Sequence, residues 1–350
     1  MLARTTPSPL LTFATTKLAC CFHSLAPKKS PNKMVKLIVA TTTDPASVNP
    51  ANALLSKPGW SPTPSLLQED MKSFANGAVR VLVHNRSIIE EDDLDARWEQ
   101  ATGEHVDELI FLSKHKAASS RPALTVHPIG VPHLRNGDVL PQGGKPGWAA
   151  PPNPRIGPWL RLLKRIAQDR NLVPEFEVTL EATHHGPITD TPAMFLEIGS
   201  TDDCWKRQDA AEVMALLVWE GLGLGGGAAV GNWNGGNDNK RVLLGIGGGH
   251  YVPRHMDIAL KDDVWVGHLI SGYSLPMEDP SQSKTETNTK DIGGTWKQSI
   301  KVAFEATQSA FPGGEIVAHL DHKSFKSWQK NAITSFLEEQ NITISKRDFF

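Results

Sequence analysis

The chain has 350 residues, 39% hydrophobic and 21% charged, the composition of an ordinary globular protein with one large or two modest domains. No stretch approaches the roughly 18 apolar residues that a membrane-spanning helix needs. Three cysteines without a CxxC pair exclude a thiolate zinc site and argue against a disulfide framework. Five of the 36 basic residues and none of the 38 acidic ones precede Met34. The body is therefore acidic, and overall charge gives it no affinity for DNA. An RNA partner requires a local basic patch.

Residues 1–33 are rich in Ser, Thr, Pro and Lys and lack acidic residues. That is the composition of an organelle transit peptide, or of a disordered extension before a second start at Met34. The first reading directs the protein to chloroplast or mitochondrion. The second leaves a form for cytoplasm and nucleus. Either way the body, residues 34–350, is expected to be one α/β domain.

Runs rich in β-branched residues follow, at Val35–Thr43, Val79–Asn85, Asp107–His115 and Ala123–Gly130. Others are Glu175–His185, Ala193–Ser200, Arg241–Gly247 and Glu315–His322. Most are continuously apolar, as strands covered on both faces should be. Between them, Gly157–Arg170 reads as a helix with Pro158 in its first turn and Trp159, Leu163, Ile166 and Ala167 on one face. Asp203–Glu220 reads as a second helix ending in glycines, and residues 296–311 and 323–340 as two more. The alternation predicts an α/β fold with a mixed, largely buried sheet flanked by helices. Residues 131–158 form a Gly- and Pro-rich loop, and the polar segment 274–294 is expected to be a mobile surface loop.

Of thirteen histidines, seven fall at or near predicted strand ends: His127, His184, His185, His250, His255, His319 and His322. Ligands of α/β sheets bind outside such ends. The stretch RVLLGIGGGHYVPRH, Arg241–His255, places three glycines after a strand and then His250. A dinucleotide fingerprint needs a third glycine where His250 stands, and a phosphate loop needs Lys-Ser/Thr. What remains is a turn without Cβ atoms that delivers a histidine and offers backbone N–H groups to an anion or oxyanion.

His250, His255 and Asp257, with His319 and Asp321 of HLDH, form a candidate metal set; Glu181, His184 and His185 add a further cluster. No HExxH is present, so the spacing itself is not specific. There is no GxSxG elbow, which favours direct attack by water. Arg161, Lys164 and Arg165 share a helix face, with Arg155 just before it. They form the best local basic patch, and Lys323 begins a thinner one.

Several stretches together resemble the archaeal- and plant-type D-aminoacyl-tRNA deacylases: MVKLIVATTTDPAS, ALTVHPIG, GWAA, EATHHGP, FLEIGST, VWEGLGLGG, LGIGGGHYVPRH and HLDHKSF. The resemblance runs from Met34 almost to the carboxyl terminus. It implies hydrolysis of the ester joining a D-amino acid to tRNA. For the plant members it also implies removal of aldehyde-modified adducts, and with that a link to ethanol and aldehyde tolerance. A phosphorylase/peptidyl-tRNA hydrolase-like fold is implied as well, and zinc with ligands unassigned.

An activated ester needs a positioned water, a general base and an oxyanion hole. His250 is the expected base or metal ligand, with the N–H groups of Gly248 and Gly249 near the carbonyl oxygen. His184 and His255 come next, then His319 and Asp321. The Gly186-Pro187 turn is expected to exclude L side chains. Arg155, Arg161, Lys164, Arg165 and Lys323 are expected to meet the tRNA. The rival reading is a metal-dependent amidohydrolase acting on a small free substrate.

Overall fold

The apolar runs separate into two sheets. The computed structural model describes Met1 and residues 33–63, 71–140, 143–282 and 292–350. The extension at 2–32, and the expectation of mobility over 283–291, lie outside the described residues. Lys33–Phe350 forms one compact unit.

In chain order the first sheet takes β1 (Met34–Thr41), β2 (Ser61–Thr63), β3 (Lys72–Asn76), β4 (Val79–His84), β5 (His105–Lys116), β6 (Ala123–His127), β7 (Glu177–Leu180) and β8 (Ala193–Ser200). Their spatial order is β2-β3-β4-β1-β5-β8-β6-β7. The central strands β4, β1, β5 and β8 are mutually parallel, while β6 runs antiparallel to β8. The second sheet holds β9 (Arg241–Ile246), β10 (Trp265–Ile270), β11 (Glu315–Leu320) and β12 (Thr343–Ile344), in the order β10-β9-β11-β12 and all parallel. The fold is thus mixed α/β, as expected. The expectation of a single sheet is corrected to two.

Helices α1 (Pro45–Leu55), α3 (Ile156–Asp169) and α5 (Gln208–Gly221) cover one face of the large sheet. On the opposite face Trp98, from α2 (Leu94–Thr102), packs with Leu37, Phe111, Ile129 and Phe195. A short α4 (Asp202–Trp205) precedes α5, so the helix expected over Asp203–Glu220 is broken. Thr201 caps α4 at its start, and Arg207 turns the chain by pairing with Glu175 and Asp209. Further on come α6 (Pro253–Ala259), α7 (Trp296–Ala310) and α8 (Ser327–Glu339). The last two pack on the small sheet through Trp296, Ile300, Ile333 and Leu337.

Helix α3 joins the two sheets. Its residues Trp159, Leu163 and Ile166 are buried together with Val266 and Leu269 of β10. Each such side chain contributes about 1.5–3 kcal/mol by leaving water. Arg155 precedes the helix and is 1% exposed, so it is no part of an RNA-facing patch. Its Nη2 donates to Glu108 Oε1 at 2.8 Å, and Nη1 donates to the carbonyl of Gly221 at 3.2 Å. Burial pushes the Glu108 carboxyl up, but the Arg155 hydrogen bonds and charge outweigh it and hold the carboxyl below its ordinary range.

A buried guanidinium that loses its counter-charge costs about 3–5 kcal/mol. Glu108→Gln should lower the urea midpoint accordingly, and an unchanged midpoint would show that the pair contributes nothing. A depressed carboxyl stabilises the fold above its unfolded pKa and loses that effect as pH falls through its folded one. The gap between wild type and variant should therefore close on acidification.

Candidate active site

The site grows from one face of the large sheet. In β8, Phe195, Glu197 and Gly199 alternate onto the same face. Register places them opposite Phe111, Ser113 and His115 of β5, and opposite His127, Thr125 and Ala123 of β6. Phe111 and Phe195 stack at 5.0 Å, and Phe195 stacks on His127 at 5.0 Å. This apolar floor carries Glu197, 1% exposed, between two histidines. His115 Nδ1 and His127 Nε2 both lie 3.7 Å from its Oε2. Gly199 makes the room: a Cβ there would sit 2.9 Å from the His115 ring.

The segment after β7 forms the wall. The strand ends at Leu180, earlier than the predicted Glu175–His185 run, and the chain then crosses to the small sheet. Ala182 N–H donates to the His250 carbonyl at 2.7 Å, and Thr183 N–H to the Leu269 carbonyl at 2.7 Å. Leu269 N–H returns a bond to Thr183 Oγ1 at 3.0 Å. The Thr183 hydroxyl donates to His268 Nδ1, whose Nε2 donates to the Ala150 carbonyl. This seam fixes Glu181, which is fully buried. Its Oε2 lies 2.7 Å from His250 Nε2, 3.1 Å from His115 Nδ1 and 3.5 Å from His184 Nε2.

The carboxyl edge of the small parallel sheet closes the site, as strand ends in α/β sheets do. The turn after β9 delivers His250 and Tyr251, and the turn after β10 delivers Tyr273. The chain has only these two tyrosines. Each hydroxyl meets a site histidine: Tyr251 meets His115 Nε2 at 2.8 Å, and Tyr273 meets His250 Nδ1 at 3.1 Å.

Charge in this pocket is shared unequally. Burial disfavours ionised Glu181 and Glu197, yet the histidine contacts hold both carboxyls below the ordinary range. Burial alone would lower His115, but the two glutamates overrule it and raise its pKa to about 11. His127 is raised in the same way, chiefly by Glu197 against its own burial. His184 and His185 go the other way. Burial, then the neighbouring His127 charge, drives His184 well below its usual value and His185 to about 4.

The donor set suits a metal ion. His184 Nδ1 donates to the Ala182 carbonyl at 2.7 Å, and His127 Nδ1 to the Pro128 carbonyl at 3.1 Å. In the neutral ring this leaves a bare Nε2 in each, the tautomer that metal-binding imidazoles adopt. His127 Nε2, His185 Nδ1 and all four oxygens of Glu181 and Glu197 are buried with no hydrogen bond of good geometry. The nitrogens of His127, His184 and His185 approach one another within 4.8 Å, as do the donor atoms of His115, Glu181 and His250, and of His127, Glu181 and Glu197. Nitrogen and carboxylate ligands of this kind are those zinc prefers.

Comparison with known proteins gives the family. Residues 102–345 match the family model described as D-aminoacyl-tRNA deacylase. This chain belongs to that family. A D-aminoacyl-tRNA deacylase of Arabidopsis thaliana is 69% identical over 317 residues, 91% of this chain and all of that protein. One from Aeropyrum pernix is 30% identical, over 89% of this chain and 99% of its own. A crystal structure of a conserved protein of unknown function matches with a TM-score of 0.67 at 25% identity, over 91% of this chain and 96% of that one.

Within this family member, the sequence-predicted residues separate into groups. His250 and His184 stand in the pocket. His255, His319, Asp257 and Asp321 join no metal-binding group among the described residues, which corrects the metal set drawn around them. His255 is buried against β11, its Nε2 donating to the His319 carbonyl at 3.2 Å. Asp257 pairs with Arg347 at 3.2 Å on the surface. Asp321 accepts from Arg254, Ser324 and the Lys323 backbone. Gly248 N–H is already bonded to Ser324 Oγ at 2.6 Å, so it cannot serve an oxyanion. Gly249 N–H meets no acceptor among the described residues, and its missing Cβ faces open space. Gly186 turns inward: a Cβ would lie 2.7 Å from Ile129 and 2.9 Å from Phe195. That glycine serves packing of the floor and cannot filter chirality by facing the substrate.

The basic patch is also displaced. Arg161 is half-buried and donates to the carbonyls of Ala259 and Val264, at the amino end of β10. His250 lies at the carboxyl edge, and the six residues of β10 span roughly 20 Å. Arg165 pairs with Glu220, and Lys164 shares that remote face. Lys323 alone of the expected RNA contacts lies at the site's edge.

Sequence reasoning missed His115, Glu197, Tyr251 and Tyr273. Glu197 had a signal: it is the one charged residue in a strand that is otherwise apolar and fully buried. Glu181→Gln should lower kcat/KM by about 100- to 10,000-fold, the range for losing acid–base machinery. Circular dichroism should show the fold retained, and wild-type turnover in this variant would remove Glu181 from the machinery.

Proposed function

We propose that this chain hydrolyses the ester of D-aminoacyl-tRNA at the Glu181–His250 centre, releasing tRNA and a D-amino acid. Family membership carries the reaction class: the protein is a hydrolase of the aminoacyl-tRNA ester bond. The single observation that carries the site is the 2.7 Å contact of partly exposed His250 with buried Glu181.

The residues divide the work by exposure. The His250 side chain is 35% exposed and Glu181 is not exposed at all. Glu181 therefore orients the ring through Nε2, and Nδ1 faces the open side beside Tyr273. A water held against the Tyr273 hydroxyl attacks the ester carbonyl and passes its proton through that hydroxyl to Nδ1. The developing oxyanion is met by Gly249 N–H. Collapse expels the ribose oxygen, which takes that proton back from His250 as the acyl–oxygen bond breaks. A zinc ion would be held by the bare nitrogens of His127, His184 and His185, and would supply Lewis acidity to the carbonyl or the water. Aldehyde-modified D-aminoacyl-tRNA carries the same ester, and the same residues would serve it.

The tRNA is assigned to the carboxyl edge of the small sheet, where Lys323, Arg254 and Lys326 stand exposed. Lys323 has no carboxylate partner among the described residues, whereas Arg254 pairs with Asp321 and Lys326 with Asp279.

Matched D- and L-aminoacyl-tRNA should be hydrolysed with strong preference for D, and equal turnover of the two would overturn the reading. Lys323→Ala should weaken tRNA binding and reduce the slope of log affinity against log salt by about one. Lys164→Ala should change neither. His185→Ala should lower zinc content measured by mass spectrometry on the purified protein, and unaltered content would exclude the three-histidine holder.

A further inference from the structure

We infer that Tyr273 is the platform on which the terminal nucleobase of the tRNA stacks while its ester lies at His250. This rests on the function proposed above and adds the residue that recognises the leaving group.

Tyr273 is 56% exposed, one of few large hydrophobic residues so open. Its ring is nevertheless not loose. The hydroxyl is tied to His250 Nδ1. The turn that bears it is clamped to the glycine loop, Gly272 N–H donating to the Gly248 carbonyl at 2.9 Å. Ser274, the next residue, is buried and accepts from the Ser271 hydroxyl at 3.0 Å. An aromatic ring fixed at one end and open along its body is what a base needs as a stacking partner.

The two halves of the ester point to opposite sides of the site. The inner side holds the two buried carboxylates Glu181 and Glu197, whose charge repels a phosphodiester. The outer side bears Lys323 and Arg254. The leaving group carries the ribose, the base and the phosphates, so it lies outward. Tyr273 touches His250, and the turn that bears it adjoins that basic edge: a Cβ on adjacent Gly272 would lie 3.8 Å from Ser324 Cβ, beside Lys323. A nucleoside whose ester reaches His250 and whose phosphate reaches Lys323 runs along this turn, with the exposed Tyr273 ring beside its base.

The test compares Tyr273→Phe with Tyr273→Ala. Both lose the hydroxyl, and only the second loses the ring. The substrates are D-aminoacyl-tRNA, the same D-aminoacyl group on adenosine, and its ethyl ester. Loss of one base stack corresponds to about 5- to 150-fold. The Ala variant should therefore show a KM higher than the Phe variant by that factor on the tRNA and adenosine esters. The two should share one KM on the ethyl ester. Equal KM on the adenosine ester, or an equal difference on adenosine and ethyl esters, overturns the inference. A wild-type protein inactive on D-aminoacyl-tRNA would instead overturn the function on which it rests. The exposed position means neither variant disturbs the core, and matching thermal midpoints confirm it.

Discussion

Two carboxylates buried side by side govern this structure. Glu181 and Glu197 lie in a pocket where isolated charge costs several kcal/mol per ion. They stay ionised only because positive charge is supplied around them, as protons on His115 and His127 or as a bound cation. Protons placed on all the histidines would repel one another, so His184 and His185 are driven neutral. One electrostatic requirement thus yields both acidic and basic imidazoles within a few ångströms. That mixture suits proton transfer and metal binding alike.

The same requirement explains why the two sheets meet here. No single strand can surround a carboxylate with four histidines. β5 and β6 bring His115 and His127, the segment after β7 brings Glu181 and His184, and the small sheet brings His250. The seam from Ala182 to Thr183 holds these contributions in register through hydrogen bonds in both directions. Buried His268 serves that seam: burial holds it neutral, with a pKa of about 4, and in that form it accepts from Thr183 and donates to Ala150.

Strands buried on both faces were legible because continuous apolar runs leave few alternatives. Ala193–Ser200 coincides with β8, and Arg241–Gly247 differs from β9 by one residue. β10 was not legible, since WVGHLI carries a glycine and a histidine and follows a polar turn. The short strands β2 and β3, at one end of the large sheet, hold too few apolar residues to announce themselves. In the site, His250 was legible from the glycines before it, which need no partner strand to be interpreted. Glu197 showed only as a lone acid in a strand, a signal that acquires its meaning once register places His115 and His127 beside it. Arg155 failed for the opposite reason. Its neighbours Arg161, Lys164 and Arg165 suggest a solvent face, while its true partner, Glu108, lies 47 positions away.

Register also decides how an acidic body handles a polyanion. Basic residues near α3 lie at the amino end of β10, where Arg161 bonds backbone carbonyls and Arg165 is neutralised by Glu220. At the carboxyl edge, three turns of one parallel sheet present a glycine N–H and a lysine side chain without partners among the described residues, and between them in the chain an exposed tyrosine. A parallel sheet puts all such turns on one side by construction. The inner pocket keeps its own charges balanced, and the edge keeps a positive excess. In the function proposed above, this division of charge turns the phosphates of the substrate outward and leaves only its ester to reach His250.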